Sequence, residues 1–270
     1  MTTVEKSGLE NNKELFFEDF TSEEINRDVW NVMGTGGIFN NEQQAYVDSP
    51  ETVYIEPDYN EDANGVLVLH PRYRPNYRTK ENQTFDFISG RVDTRGKQEF
   101  LQGKLSARIK IPAGAGLWPA FWSLGLGPWP TCGEIDIMEN VGEPDWISAA
   151  VHGKGYSEDA ALVNYFYFPL YNDVTKWHVY SVELHPNSHM EFCVDDQLIF
   201  RVTKPMIEYF GQWVFDQPKH IILNIALGGG YPHKISGIKK PYFGLPEETV
   251  QAIQNNDVRF MVDWVRISQL

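Results

Sequence analysis

The stretch Leu105-Ser106-Ala107-Arg108-Ile109-Lys110-Ile111 places an apolar side chain at every second position. Successive side chains of a strand point to opposite faces, so this stretch reads as a strand buried on one side. The same period recurs in His178-Val179-Tyr180-Ser181-Val182-Glu183-Leu184 and in Arg259-Phe260-Met261-Val262-Asp263-Trp264-Val265-Arg266-Ile267. Met190–Val194, the pair Asp195-Asp196 and Gln197–Phe200 form a hairpin pattern with a tight turn. Asn64-Gly65 before Val66-Leu67-Val68-Leu69 is a second turn signal. A helix is expected only over residues 246–253, where Pro246 and two acids make a favourable first turn. Many short strands separated by turns predict an all-β sandwich of two antiparallel sheets. No shift in composition marks a domain boundary, so residues 13–270 are expected to form one domain. Residues 1–12 are polar and are expected to be a flexible N-terminal segment.

The chain has 270 residues, and 42% of them are hydrophobic, including 8 Trp, 13 Tyr and 16 Phe. That is enough apolar surface for a sizeable core, which excludes disorder. The net charge of -14 repels nucleic-acid phosphates and anionic membranes, so neither is expected as a partner, and it weakly disfavours a polyanionic substrate. Cys132 and Cys193 allow one bridge at most, and buried free thiols are the expected state. No apolar run approaches the ~18 residues of a membrane span. Met1–Ser7 lacks the apolar stretch of a signal peptide. Two readings follow: a cytoplasmic protein, or a mature secreted domain with an added Met.

Chemistry concentrates in Gly133-Glu134-Ile135-Asp136-Ile137-Met138-Glu139. On a regular strand Glu134 and Asp136 share a face, Met138 takes the next position on it, and Glu139 points away. A β-bulge at Ile137-Met138 would bring Glu139 round to join the other two. Acids crowded on one face repel one another, and folding calls for no such thing. A retaining glycosidase does: one carboxylate attacks the anomeric carbon while a second, ~5–5.5 Å away, stays protonated for the leaving oxygen. Like charge nearby raises the pKa of the proton donor. A solvated acidic strand and a metal site are the alternatives. The flanking Ile and Met side chains argue against the first. The lack of a Gly- and Asn-rich ligand loop argues against calcium.

This segment resembles glycoside hydrolase family 16, in its laminarinase branch, which carries Glu-x-Asp-x-x-Glu with Met before the last Glu. Further similarity lies in Leu117-Trp118-Pro119-Ala120-Phe121-Trp122, Ser89-Gly90-Arg91-Val92, Asn40-Asn41-Glu42, Leu223-Asn224-Ile225-Ala226 with Gly228-Gly229, and Met261–Arg266. The resemblance implies a β-jelly roll with a substrate cleft on its concave face. It implies a retaining endo-β-1,3-glucanase, with Glu134 as nucleophile, Glu139 as general acid/base and Asp136 tuning the nucleophile. Lichenases of the family lack the extra residue, so Met138 favours the laminarinase branch. Departures are Gly230-Tyr231 where the family often has Trp, and Ser106 where it often has Glu.

By the same resemblance, Trp118 and Trp122 line subsites beside the cleavage point, and His152 is a cleft histidine near Asp136 or the leaving sugar. Arg91, Asn41 and Glu42 are polar contacts in the glycone half. Trp129, between two prolines, suits either core or cleft. No cofactor is expected for catalysis. A structural calcium is implied, with Glu18, the Gly65 carbonyl and Asp263 as ligands, although Glu18 and Asp263 also read as plain surface acids. His185 and His189 are four apart, but Pro186 and Asn187 make a turn there, which discounts a helical zinc pair. Gly228-Gly229-Gly230 is not read as a phosphate loop, because no Lys-Ser/Thr and no helix pattern follow it. The expected partner is a neutral β-glucan, the expected state a secreted monomer. Mixed-linkage β-1,3-1,4-glucan is a further expected substrate of the same activity; the rival readings are a lichenan-specific or agarose-cleaving hydrolase, a transglycosylase, and a non-catalytic glucan-binding sandwich, which would be expected to lack one or more of the acids.

Overall fold

In the computed structural model, residues 13–34, 39–57 and 65–270 are described. The expected flexible segment 1–12 and Asn64 of the Asn64-Gly65 turn lie outside them. The strands in chain order begin with β1 (Glu14–Glu18), β2 (Asn31–Val32), β3 (Gln44–Tyr46), β4 (Val53–Pro57), β5 (Gly65–Leu69), β6 (Arg72–Arg78) and β7 (Thr84–Ser89). They continue with β8 (Arg91–Asp93), β9 (Glu99–Phe100), β10 (Gly103–Lys110), β11 (Leu117–Gly125), β12 (Glu134–Glu139), β13 (Trp146–His152) and β14 (Leu162–Tyr167). The last are β15 (His178–His185), β16 (His189–Val194), β17 (Gln197–Thr203), β18 (Lys219–Leu227) and β19 (Phe260–Ser268). Among the described residues, three α-helices intervene, α1 (Lys204–Phe210), α2 (Gly230–Ser236) and α3 (Glu247–Gln254), with one 3-10 turn at Glu158–Ala160.

The alternation at residues 105–111 becomes β10, at the centre of an antiparallel sheet ordered β17-β16-β15-β10-β19-β5-β4, with β1 added along β19. A second antiparallel sheet is ordered β14-β13-β12-β11-β18-β8-β2, with β9 on β18. The two sheets share one core. Leu105, Ala107 and Ile109 of β10 and Val262, Val265 and Ile267 of β19 belong to the same apolar cluster as Phe121, Ile135, Met138, Ile221, Leu223 and Ile225. Each such side chain contributes roughly 1.5–3 kcal/mol by leaving water. The sandwich also carries a small third sheet, β3-β7-β6, whose β3–β7 pair is parallel. Purely antiparallel pairing, expected from the repeated turn signals, therefore holds for the two large sheets.

The hairpin prediction is met by β16 and β17. Asp195 and Asp196 both have positive φ (49° and 63°), the conformation a two-residue turn needs to match strand twist. Helix α3 starts one residue after Pro246, as its first-turn signal implies. The reading that no helix starts at Gly230 is corrected: α2 begins there, as a single short segment held by tertiary contacts rather than by an amphipathic repeat.

The two sheets differ on their outer faces. Strands β10, β15 and β16 alternate between buried and partly exposed residues, as in a sheet with one solvated face. Strand β18 is buried along its whole length, on both faces. The middle of the second sheet is therefore recessed beneath surrounding segments, and the acidic strand β12 lies two places from β18 in that sheet.

Candidate active site

Strand β12 opens at Gly133, whose φ of 76° lies in the left-handed region and whose missing Cβ would stand 2.8 Å from the Val214 carbonyl. Along β11, Phe121 pairs with Met138 and Trp122 pairs with Asp136, so Ile137 is the extra residue. Along β13, Ala150 faces Asp136 and Ser148 faces Glu139, again three residues against two. This is the bulge expected at Ile137-Met138. Its consequence is visible in packing: Ile135, Ile137 and Met138 all enter the core, while Glu134 and Glu139 remain partly exposed on the recessed face. Asp136 lies at the foot of the same face and is 3% exposed.

Each acid has a defined surrounding. The Trp129 indole N–H donates to Glu134 Oε2 at 2.9 Å, and that of Trp118 donates to Glu139 Oε1 at 2.9 Å. His152 Nε2 stands 3.1 Å from Asp136 Oδ2 and 3.8 Å from Glu134 Oε1. Its Nδ1 accepts the backbone N–H of Glu158 at 3.2 Å, so a neutral ring carries its proton on Nε2, toward the acids. Asp136 Oδ2 has no hydrogen-bond partner among the described residues. Burial pushes all three carboxyls up to about 8, and the charge of Asp136 adds to the rise at Glu134 and Glu139. They titrate as one unit that retains protons at neutral pH. Within it, Glu134 is the glutamate nearer the imidazole N–H, which favours its ionised form. Glu139 accepts from Trp118 alone among the described residues and is the better reservoir for a proton.

The remaining candidates divide. Trp118 and Trp129 touch Glu139 and Glu134 directly, and Trp129 is exposed rather than in the core. Trp122 donates to Asn224 Oδ1 at 2.7 Å, and the Arg91 guanidinium lies 5.0 Å above its ring. Glu42 accepts from Gln44 Nε2 at 2.7 Å and from the Tyr46 hydroxyl at 3.3 Å, and Tyr46 in turn accepts from Asn224 Nδ2 at 3.2 Å. Arg91, Glu42 and Trp122 thus belong to one polar network beside the acids. Asn41 is not brought to that network through its side chain. It lines an adjoining hollow with Glu42, Asp86 and Tyr242.

Sequence reasoning missed Tyr46 and Asn224 as members of this network. Asn224, a lone amide within the apolar run of β18, was the available signal. Tyr231, which stands where the family often has Trp, is edge-on to Trp118 with ring centroids 5.6 Å apart, its hydroxyl 3.1 Å from Ser148 Oγ. It braces Trp118.

The acid cluster and the implied calcium ligands both bear on cations. Glu134, Asp136 and His152 bring ligand atoms within 4.8 Å of one another, but a cation there would occupy the oxygens that the chemistry needs. The implied calcium ligands meet at one junction, where β19 exchanges β5 for β1 as its neighbour. Gly65 lies so close to the Phe20 carbonyl that a Cβ would overlap it. Carbonyl oxygens and an acid in one place suit calcium. The Asp263 carboxylate, however, is held by Arg108 Nη1 at 2.5 Å, and Glu18 Oε1 accepts the Phe20 N–H. Both acids of the implied set therefore already hold protein partners, and the close Gly65–Phe20 backbone approach is what speaks for a cation there.

A two-sheet sandwich bearing three crowded acids, two of them capped by indole N–H groups, has the arrangement of a double-displacement glycosidase. The chain belongs to the glycosyl hydrolases family 16, whose family description matches residues 41–266. It is 37% identical over 179 residues to a beta-glucanase of Rhodothermus marinus, covering 62% of this chain and 60% of that relative. The chain thus spans about three fifths of that relative's length. The endo-β-1,3-glucanase structure from Pyrococcus furiosus is 33% identical, with a TM-score of 0.80, and the match covers 95% of this chain and 94% of that one. The laminarinase catalytic domain from Thermotoga maritima MSB8 is 32% identical, with a TM-score of 0.79, covering 97% and 99%.

Proposed function

We infer that this chain is a retaining endo-β-1,3-glucanase that also accepts β-1,4 bonds adjacent to β-1,3 bonds in mixed-linkage glucan. The observation that carries this reading is the bulge, which turns Glu139 onto the face of Glu134 and Asp136. In the first displacement, Glu134 attacks the anomeric carbon and Glu139 gives its proton to the departing oxygen. Glu139, now ionised, takes a proton from water, which releases the sugar from Glu134 with net retention. Asp136 holds negative charge away from Glu134 by keeping its own proton, and His152 places its Nε2 3.1 Å from Asp136 Oδ2 and 3.8 Å from Glu134 Oε1. The indoles of Trp118 and Trp129 leave apolar ring surface for the faces of a neutral sugar.

Kinetics on laminarin, lichenan, agarose and xyloglucan test the substrate, with laminarin expected to be cut fastest. Proton NMR of the first products tests the mechanism: the β-anomer is expected, and early α-anomer would overturn retention. The three intact acids favour catalysis over a binding-only sandwich. A polymeric substrate supports a secreted, monomeric domain, and a single species of about 31 kDa in sedimentation is the expected result. A structural calcium at the β19 junction belongs to the same proposal.

A further inference from the structure

The turn that rules out a helical histidine pair brings the same histidines together in another way. His185 ends β15, His189 begins β16, and they are register partners across the hairpin. Glu183 and Glu191 are the next partners on the same face, because Val182, Leu184, Met190 and Phe192 between them enter the core. The four groups form a patch on the outer face of the first sheet, the sheet that does not carry the acids. The imidazoles stack face to face, 4.2 Å between centroids and 8° between planes. Ser188 Oγ lies 2.8 Å from His189 Nδ1 and leaves Nε2 to face outward, toward Glu191 Oε1 at 3.6 Å. His185 Nε2 faces Glu183 Oε2 at 3.8 Å. Ligand atoms of His185, His189 and Glu191 lie within 4.8 Å of one another.

We propose that His185, His189 and Glu191 bind a divalent transition-metal ion of the zinc type, clamping the β15–β16 hairpin. Two imidazoles and a carboxylate are ligands such ions accept, with further positions left to water. Ligands on one zinc ion sit about 3.3 Å apart, given Zn–N bonds of about 2.0–2.1 Å. The stacked rings lie in nearly parallel planes, so joint ligation requires the two partly exposed imidazoles to unstack and turn until their lone pairs converge. Facing cations limit the affinity: Arg201 Nε is 3.3 Å from Glu191 Oε1, and Lys104 Nζ is 3.5 Å from Glu183 Oε1. The hydroxyl of Ser188 orients His189 in the way outer partners orient metal-bound imidazoles. This proposal does not depend on the proposed hydrolysis.

The test is calorimetric titration of the tag-free full chain with zinc, and visible absorption with cobalt in its place. One equivalent is expected to bind, with the absorption of nitrogen- and oxygen-ligated cobalt. His185→Gln and His189→Gln should each weaken binding at least about tenfold. Zinc should raise the melting temperature of the parent and not that of the variants. Glu134→Gln should leave this binding unchanged, which separates the patch from the acids of the cleft. Either variant keeping parental affinity, or no binding at about 100 µM free zinc (a Kd of that size is about 5.5 kcal/mol), overturns the proposal.

Discussion

Glu134 and Glu139 are the same kind of side chain in neighbouring places, and their roles are separated by what donates to each. Glu134→Gln is expected to remove turnover while leaving laminarin binding within a fewfold of the parent, read by reducing-sugar assay and calorimetry. Normal turnover in that variant would defeat the assignment. Trp118→Phe removes the N–H that favours ionised Glu139, so the carboxyl's pKa rises further. The alkaline limb of kcat/KM, set by loss of the acid's proton, should move to higher pH. A limb that stays put or moves down would mean that another group sets it. The acids also act on stability. Each is held near 8 in the fold against about 4 in the unfolded chain. Between those values the folded state binds more protons, so stability falls as pH rises from about 4 to about 8. Glu139→Gln, which cannot ionise, should therefore melt a few degrees higher than the parent at pH 7 and show no gain at pH 4. Calorimetric scans at the two pH values decide it.

At the scale of the element, β12 does its work through one surplus residue. Deleting Met138 restores strict alternation, and Glu134, Asp136 and the last acid then share a face without a bulge. The strand should still form, at a cost of about 2–5 kcal/mol for the lost buried side chain. The acid/base would be presented at a different height on the face. Laminarin cleavage is expected to fall by at least about tenfold, and by more than lichenan cleavage. Equal losses on both polymers would show that the bulge sets only the face and not the linkage. The bulge is legible in the sequence, because Met138 holds the position an acid would take and Glu139 stands one place beyond. The pairing of Trp129 with Glu134 is not legible there: a loop indole between two prolines has no periodicity to report which way it turns. Asn41 shows the converse, since nearness to Glu42 in the chain did not carry it into the same network.

At the scale of the whole molecule, the two sheets are unequal: one is solvated on its outer face, and the other is recessed and bears the acids. The junction of β1, β5 and β19 ties the first strand to the last, so a cation there acts on the whole sandwich. Calcium added to chelator-treated protein is expected to raise the melting temperature by several degrees, and an unchanged transition would remove calcium from the proposal. By itself, the sequence determined the strand pattern, the two-sheet class, the hairpin at Asp195-Asp196 and the crowding of Glu134, Asp136 and Glu139. These depend on side-chain period and turn geometry, which are local. Only the tertiary structure decided which indole meets which acid, that Tyr46 and Asn224 join Arg91 and Glu42, and that His185 and His189 stack across a hairpin. Those contacts join residues from different strands or across a turn. Their distances follow from sheet order and register, which no local stretch of sequence encodes.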